Sequence, residues 1–258
     1  MCGTRRLPLK LVVATIRLYV DAAKDAFRGF FRSALAFVVL LVAFPILIVA
    51  GMLCAPLGMM GGMLVNLLMD ALAGTYLACL RDALSVRKGV SLAMVRGNFG
   101  ANTWDIVGIQ FPIWVVSFLL EQVGLSTVGL AFTVAVFLAC NPVPEMVGRS
   151  RLGGVDLLQD AGRFMLSNGP EWFAGQVPFL VGLLFLGGAG VATGFGPGFG
   201  FVMVGGQAAG HVALGPLGYG LGLGVVAVTH LIMLFRGALY ERLSSGGRRA
   251  RAWQENFR

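Results

Sequence analysis

Charge is scarce in this chain. Asp, Glu, Lys and Arg make up 12% of its 258 residues and apolar types 57%, against about 25% and 45–50% in soluble globular domains. With a mean hydropathy of +0.82, the sequence reads as a polytopic membrane protein. Histidine is nearly absent, at two residues, and the four cysteines, Cys2, Cys54, Cys79 and Cys140, have no paired spacing. That argues against a disulfide framework and the usual zinc-ligand patterns, so neither a metal site nor a cofactor is expected. A nucleophile elbow, a phosphate-binding glycine loop and a carboxylate pair within one apolar segment are all missing. No catalytic residue can be named, and a non-enzymatic protein is expected.

The charge that exists is sorted. The net charge is +8, and every Lys and Arg falls within residues 5–32, 81–96, 149–163 or 236–258. Basic blocks alternating with uncharged segments follow the positive-inside pattern. Basicity therefore points to anionic lipid head groups, at about 1 kcal/mol per side chain near the surface, rather than to nucleic acid. The pattern predicts a multi-pass protein of a bacterial inner membrane with both termini cytoplasmic, and the preference for Arg over Lys suggests a GC-rich genome. Residues 1–32 are too long and too charged for the head of a cleaved signal, and Gly51-Met52-Leu53-Cys54 lacks a lipoprotein cleavage pattern. The first span is expected to remain as an anchor.

The chain repeats itself. Val155-Asp156-Leu157-Leu158-Gln159-Asp160-Ala161-Gly162-Arg163 matches Val20-Asp21-Ala22-Ala23-Lys24-Asp25-Ala26-Phe27-Arg28 at five offsets, with a looser copy at Val90 to Arg96. Arg28, Arg96 and Arg163 fall 68 and 67 residues apart, and the downstream prolines Pro45, Pro112 and Pro178 fall 67 and 66 apart. A period of this size marks a repeat architecture. The predicted fold class is all-α: six transmembrane helices in three hairpins, each led by a cytoplasmic amphipathic interfacial helix. Residues 1–258 form one transmembrane domain with repeat units near 9–80, 89–145 and 154–236 and a basic tail at 237–258. Same-sense repeats share an axis along the membrane normal.

Span limits follow from hydropathy and helix punctuation. Residues 9–32 form an interfacial helix, with Val13, Ile16, Val20, Ala23, Phe27, Phe30 and Phe31 opposite the charged residues. Spans are predicted near 33–54, 59–80, 102–120, 126–140, 172–189 and 217–235, with a tight turn at Ala55-Pro56-Leu57-Gly58 and a second surface helix at Ser91 to Asn98. Asn102 to Asp105 resembles a capping box that starts the third span. The third surface helix covers Val155 to Leu166, with Phe164 toward the bilayer. Arg28, Arg96 and Arg163, with Trp104 and Trp172, are the expected interfacial anchors. Arg236 is read as the return to the cytoplasm. The glycine-rich stretch 193–215 reads as an outer loop, possible as a re-entrant segment; His211 is a solvated loop residue, and only a weak likeness links Thr193 to Gly200 to an ion filter.

Asp70 stands out as an acid deep within a span, about 16 Å along the helix from Arg81. Such a carboxylate costs roughly 2.5–3.5 kcal/mol on insertion scales and needs a partner. Gly62, Asn66, Asp70 and Gly74 form one row at four-residue spacing. Asp70 is either a proton or cation site, or a packing group paired with Asn66. His230 is either a relay partner of Asp70 or a helix-to-helix hydrogen bond. Asn141-Pro142-Val143-Pro144-Glu145 is a helix stop or a cytoplasmic-mouth docking site, where Glu145 meets Arg149 or Arg163. Gln110 and Gln176 line a pore or bond neighbouring helices.

The run of surface helices and spans, the exit Asn141-Pro142-Val143-Pro144-Glu145, Trp172 after its surface helix and the tail Phe235-Arg236-Gly237-Ala238-Leu239-Tyr240-Glu241 together resemble uncharacterised bacterial six-span integral membrane proteins. The resemblance implies no activity. Mitochondrial carriers share three repeats and six spans, but their Pro-x-acidic-x-x-basic signature is missing here. The leading expectation is a membrane scaffold or accessory subunit that organises lipid or a protein partner at the cytoplasmic face. The alternative is a small-solute or proton-coupled transporter using Asp70, Asn66 and His230.

Overall fold

The structure, a computed structural model, describes residues 6–85, 89–149, 153–185 and 216–245. The glycine-rich stretch 193–215 with His211, Cys2 and the tail beyond residue 245 lie outside them. Among the described residues the regular structure is helical: α1 Arg6–Arg32, α2 Ala34–Cys54, a 3-10 turn Ala55–Leu57, α3 Met59–Ser85, α4 Leu92–Gly97, α5 Thr103–Gln122, α6 Ser126–Cys140, α7 Val143–Met146, α8 Gly154–Phe185 and α9 Pro216–Ser244. Among the described residues five segments are long and apolar enough to cross a membrane: 34–57, 59–85, 103–122, 127–146 and 223–244. By helix length and hydropathy this is a multi-pass membrane protein. The segment expected as span five leaves the described residues at Phe185.

Local chemistry explains the element limits. Gly58, at φ 56, turns the chain between α2 and α3, a conformation that costs glycine little. A Cβ at Gly61 would lie 1.9 Å from the Cys54 carbonyl oxygen, so only glycine lets the hairpin close. Ser91 caps α4 by accepting from Met94 N at 3.3 Å. The capping box at α5 does not form. Asn102 sits at φ 62 with no side-chain cap bond, a backbone conformation that Asn tolerates, while the Thr103 hydroxyl donates to the Gly100 carbonyl at 2.6 Å.

Two further differences concern the third repeat unit. Helix α8 runs unbroken from Gly154 through Pro170 and Pro178, so the surface helix and the following apolar segment are one element. Ser167 donates to the carbonyls of Arg163 and Phe164, and Asn168 to that of Phe164; the carbonyl that Pro170 itself leaves without a backbone donor is that of Leu166. Phe164 does not face outward. It packs with Leu157 and Ala161 into the core, against Trp172 and Tyr240.

Packing is concentrated at the end of the bundle that carries the basic blocks. Ala22 and Ala26 of α1, Tyr76 and Ala83 of α3, Leu157 and Trp172 of α8, and Leu234, Leu239 and Leu243 of α9 belong to one buried cluster. Helix α1 lies along the C-terminal half of α9, with Gly29 against Leu234 and Asp21 and Asp25 against Arg242. Among the described residues the opposite end is sparsely packed. Val42, Ile46, Val49 and Leu53 of α2 and Met60 and Leu64 of α3 are exposed, as suits helices apolar on most sides and bathed in hydrocarbon.

Candidate functional site

Among the described residues three buried polar links tie the helices together, with His230, Gln110 and Gln176 bonding neighbouring helices, while Asp70 and Glu145 have partners other than those expected from the sequence. The first holds Asp70, which is 3% exposed. Its carboxylate accepts from Gln110 Nε2 of α5 at 3.2 Å. Asn66, the expected partner, is exposed, and His230 pairs elsewhere. The row of Gly62, Asn66, Asp70 and Gly74 splits in two because α5 covers only its inner half. A Cβ at Gly74 would meet the Ala101 carbonyl oxygen at 2.1 Å, whereas one at Gly62 would meet nothing within 4 Å.

The second link centres on His230, which is fully buried. Its Nε2 lies 2.8 Å from Ser33 Oγ and its Nδ1 lies 2.9 Å from the Tyr76 hydroxyl. Ser33 Oγ also donates to the Gly29 carbonyl at 2.8 Å, so it must accept from His230. We assign the Nε2–H tautomer on that basis, with Nδ1 accepting from Tyr76. The chain Tyr76 to His230 to Ser33 to Gly29 then satisfies each buried group in a neutral state. Phe30 and Phe37 enclose the imidazole, each with its ring centroid 5.5 Å away. A serine beside a histidine held by a third group has the layout of an activated nucleophile. Ser33 is nonetheless fully buried, and its proton is engaged by a carbonyl.

The third link is the most heavily bonded. Arg236 is 1% exposed; it does not mark a solvated return to the cytoplasm. Its Nε donates to Glu145 Oε1 at 2.5 Å and its Nη2 to Glu145 Oε2 at 3.0 Å. Nη2 also donates to the Asn141 carbonyl, and Nη1 to Gln176 Oε1 at 3.3 Å. The guanidinium lies over the Trp172 ring at 5.2 Å. Trp172 Nε1 donates to Asn141 Oδ1 at 2.7 Å, and Gln176 Nε2 donates to the Trp172 carbonyl at 3.2 Å. Pro142 and Pro144 turn the chain out of α6 and into α7, which aims the Glu145 carboxylate and the Asn141 carbonyl at the same cation.

Glu145 was expected to meet Arg149 or Arg163. Instead Arg149 pairs with Glu241 at 2.8 Å and Arg163 with Asp160 at 3.2 Å. The reason is geometric: α9 packs against both α7 and α8 and brings its own arginine to Glu145. Gln110 and Gln176 both bond neighbouring helices. A cavity of about 20 Å³, lined in part by Arg81, Glu145 and Arg149, is large enough for a single water.

The anchor residues divide. Arg28, Arg96 and Arg163 are exposed. Trp104 is 78% exposed while Trp172 is fully buried, so Trp172 is a core residue rather than a lipid-facing anchor. Its burial follows from the Asn141 and Arg236 contacts, for which Trp104 has no counterpart among the described residues. Ser33, Tyr76 and Arg236 were not recognised from the sequence as buried polar partners. For Arg236 a signal existed: Ile232, Arg236, Leu239 and Leu243 share one face of α9, and an arginine within an apolar stripe is buried. Among the described residues no group of three or more His, Cys, Asp or Glu is placed to hold a metal ion. No protein-family model, curated protein or solved structure matches the chain.

Proposed function

We propose that the chain is a non-enzymatic six-span scaffold or accessory subunit of a bacterial inner membrane. Its termini are cytoplasmic, and it organises anionic lipid, and a protein partner with it, at the inner leaflet. The observation that carries this reading is the sorting of groups around α1. Leu18, Ala22, Ala26 and Gly29 face the protein, while Val13, Ile16, Val20, Phe27 and Phe31 are exposed. The acidic residues of α1, Asp21 and Asp25, are engaged by Arg242. Lys24, Arg28 and Arg32 remain on the exposed side. That side therefore offers apolar and basic groups, the combination that enters the boundary between anionic head groups and acyl chains.

The transporter alternative needs Asp70, Asn66 and His230 along one hydrated path. Asp70 is closed onto Gln110, His230 onto Ser33 and Tyr76, and Asn66 points outward, which favours the scaffold.

The test uses the full chain in vesicles, with a fluorophore at Val20→Cys or Phe27→Cys in a background lacking Cys2, Cys54, Cys79 and Cys140. Brominated acyl chains quench both labels, and quenching weakens when phosphatidylglycerol is replaced by phosphatidylcholine or when Lys24, Arg28 and Arg32 become Gln. Labels that ignore both lipid changes would refute lipid engagement by α1. Modification of Asp70→Cys by an impermeant maleimide in intact vesicles would make the transporter the better reading.

A further inference from the structure

Asn66 lies seven residues into α3, about 10 Å along a membrane-crossing helix. It is exposed, and among the described residues its carboxamide has no hydrogen-bond partner. An acyl chain offers such a group nothing, and an unsatisfied polar group in hydrocarbon is costly. Its neighbour in the row, Asp70, shows how this chain treats the same problem where it can, by supplying Gln110.

The surroundings of Asn66 suit close approach by another helix. Gly62 stands one turn nearer the α2–α3 turn, on the same side, with open space around its missing Cβ. On α5, one turn beyond Gln110, Trp114 is exposed between Phe111 and Phe118, at ring-centroid distances of 6.3 and 5.6 Å. Its indole N–H also has no partner among the described residues. Two polar groups thus face outward one turn beyond the Asp70–Gln110 pair.

We propose that a second copy of this chain docks on this face, with the two Asn66 carboxamides paired across a twofold axis. A carboxamide is self-complementary: each carbonyl oxygen accepts an N–H from the other amide, so the same residue satisfies both chains. A twofold interface places one surface patch against itself, and glycine at the crossing lets the backbones approach closely. This inference stands independently of lipid engagement by α1.

Two measurements test it. In native membranes, with the four native cysteines replaced by Ala, oxidation of Asn66→Cys or Gly62→Cys should give a disulfide-linked species of twice the chain mass. Val49→Cys, exposed on α2, should give none. In reconstituted vesicles, energy transfer between labelled copies should report association that Asn66→Leu weakens about 5- to 30-fold and Asn66→Gln largely preserves. Asn66 makes no hydrogen bond within the described chain, so at dilutions where both are monomeric Asn66→Leu should keep the wild-type melting temperature. The proposal is overturned by absence of the linked species at both positions, by equal linkage at position 49, by linkage to a different protein, or by unchanged association of Asn66→Leu.

Discussion

Removing the Glu145 carboxylate strands a buried guanidinium. In Glu145→Leu, Arg236 loses two charge-assisted hydrogen bonds while the neutral Asn141 carbonyl, Gln176 Oε1 and the Trp172 face stay in place. The side chains of the pair are 2% and 3% exposed, so bulk water does not solvate the charge that is left, and the adjoining cavity has room for a single water. Breaking a buried pair from one side costs about 3–5 kcal/mol, and Arg236→Met, which strands Glu145, should cost a similar amount. The double variant behaves differently because neither charge remains. The acceptors that lose Arg236 at Asn141 and Gln176 are neutral, at about 1 kcal/mol each. Glu145→Leu with Arg236→Met should therefore cost about 2 kcal/mol rather than the summed 6–10 of the singles. The assay is unfolding free energy in mixed dodecyl maltoside and SDS micelles, followed by far-ultraviolet circular dichroism because Trp172 contacts the mutated site. A double variant as damaged as the sum of the singles, or a Glu145→Leu cost below about 1 kcal/mol, would refute the assignment of this pair as the bond that fixes α9 against α7.

Gly74→Val should cost about 3 kcal/mol or abolish folded yield, since its Cβ would collide with the Ala101 carbonyl, whereas Gly62→Val should leave the monomer's melting temperature unchanged. Size-exclusion profiles and thermal melts of the two variants make the comparison. Tyr76→Phe leaves His230 Nδ1 without its partner and should cost about 1–3 kcal/mol in the same unfolding assay; no measurable loss would invalidate the Tyr76–His230 hydrogen bond. Asp70→Asn keeps the acceptor for Gln110 and should stay within about 1 kcal/mol of the wild type, while Asp70→Leu, which leaves the Gln110 amide unpaired, should cost about 1–3 kcal/mol.

Much of the secondary structure was legible in the residues. Hydropathy and punctuation placed spans at 33–54 and 126–140, where α2 covers Ala34–Cys54 and α6 covers Ser126–Cys140. The turn at Ala55 to Gly58 and the short helix after Ser91 were also visible. These features depend on transfer of apolar side chains and on hydrogen bonds closed within a few residues, so neighbouring sequence suffices to determine them. The break expected between surface helix and span in the third unit was not found. Proline usually ends a helix, but α8 continues through Pro170 and Pro178.

The site was legible only in its membership. Composition and position singled out Asp70, Gln110, Gln176 and His230 as polar groups within spans, and Asn141 and Glu145 as a polar span exit. Which group satisfies which was decided by tertiary packing, because the bonds join residues far apart in the chain: Asp70 with Gln110 across 40 positions, Glu145 with Arg236 across 91, and Ser33 with His230 across 197. Helical spacing suggested Asn66 for Asp70 and chain proximity suggested Arg149 for Glu145, yet α5 and α9 bring competing side chains closer. Charge alone made Arg236 look like a solvated residue. Its burial follows from the docking of α9 against α7 and α8, where a carboxylate, a carbonyl and an amide converge on the guanidinium. The sequence by itself determined that this is a membrane protein with its charges gathered in basic blocks. The tertiary structure decided which polar groups close onto one another, because only packing brings side chains so far apart in sequence within hydrogen-bonding distance.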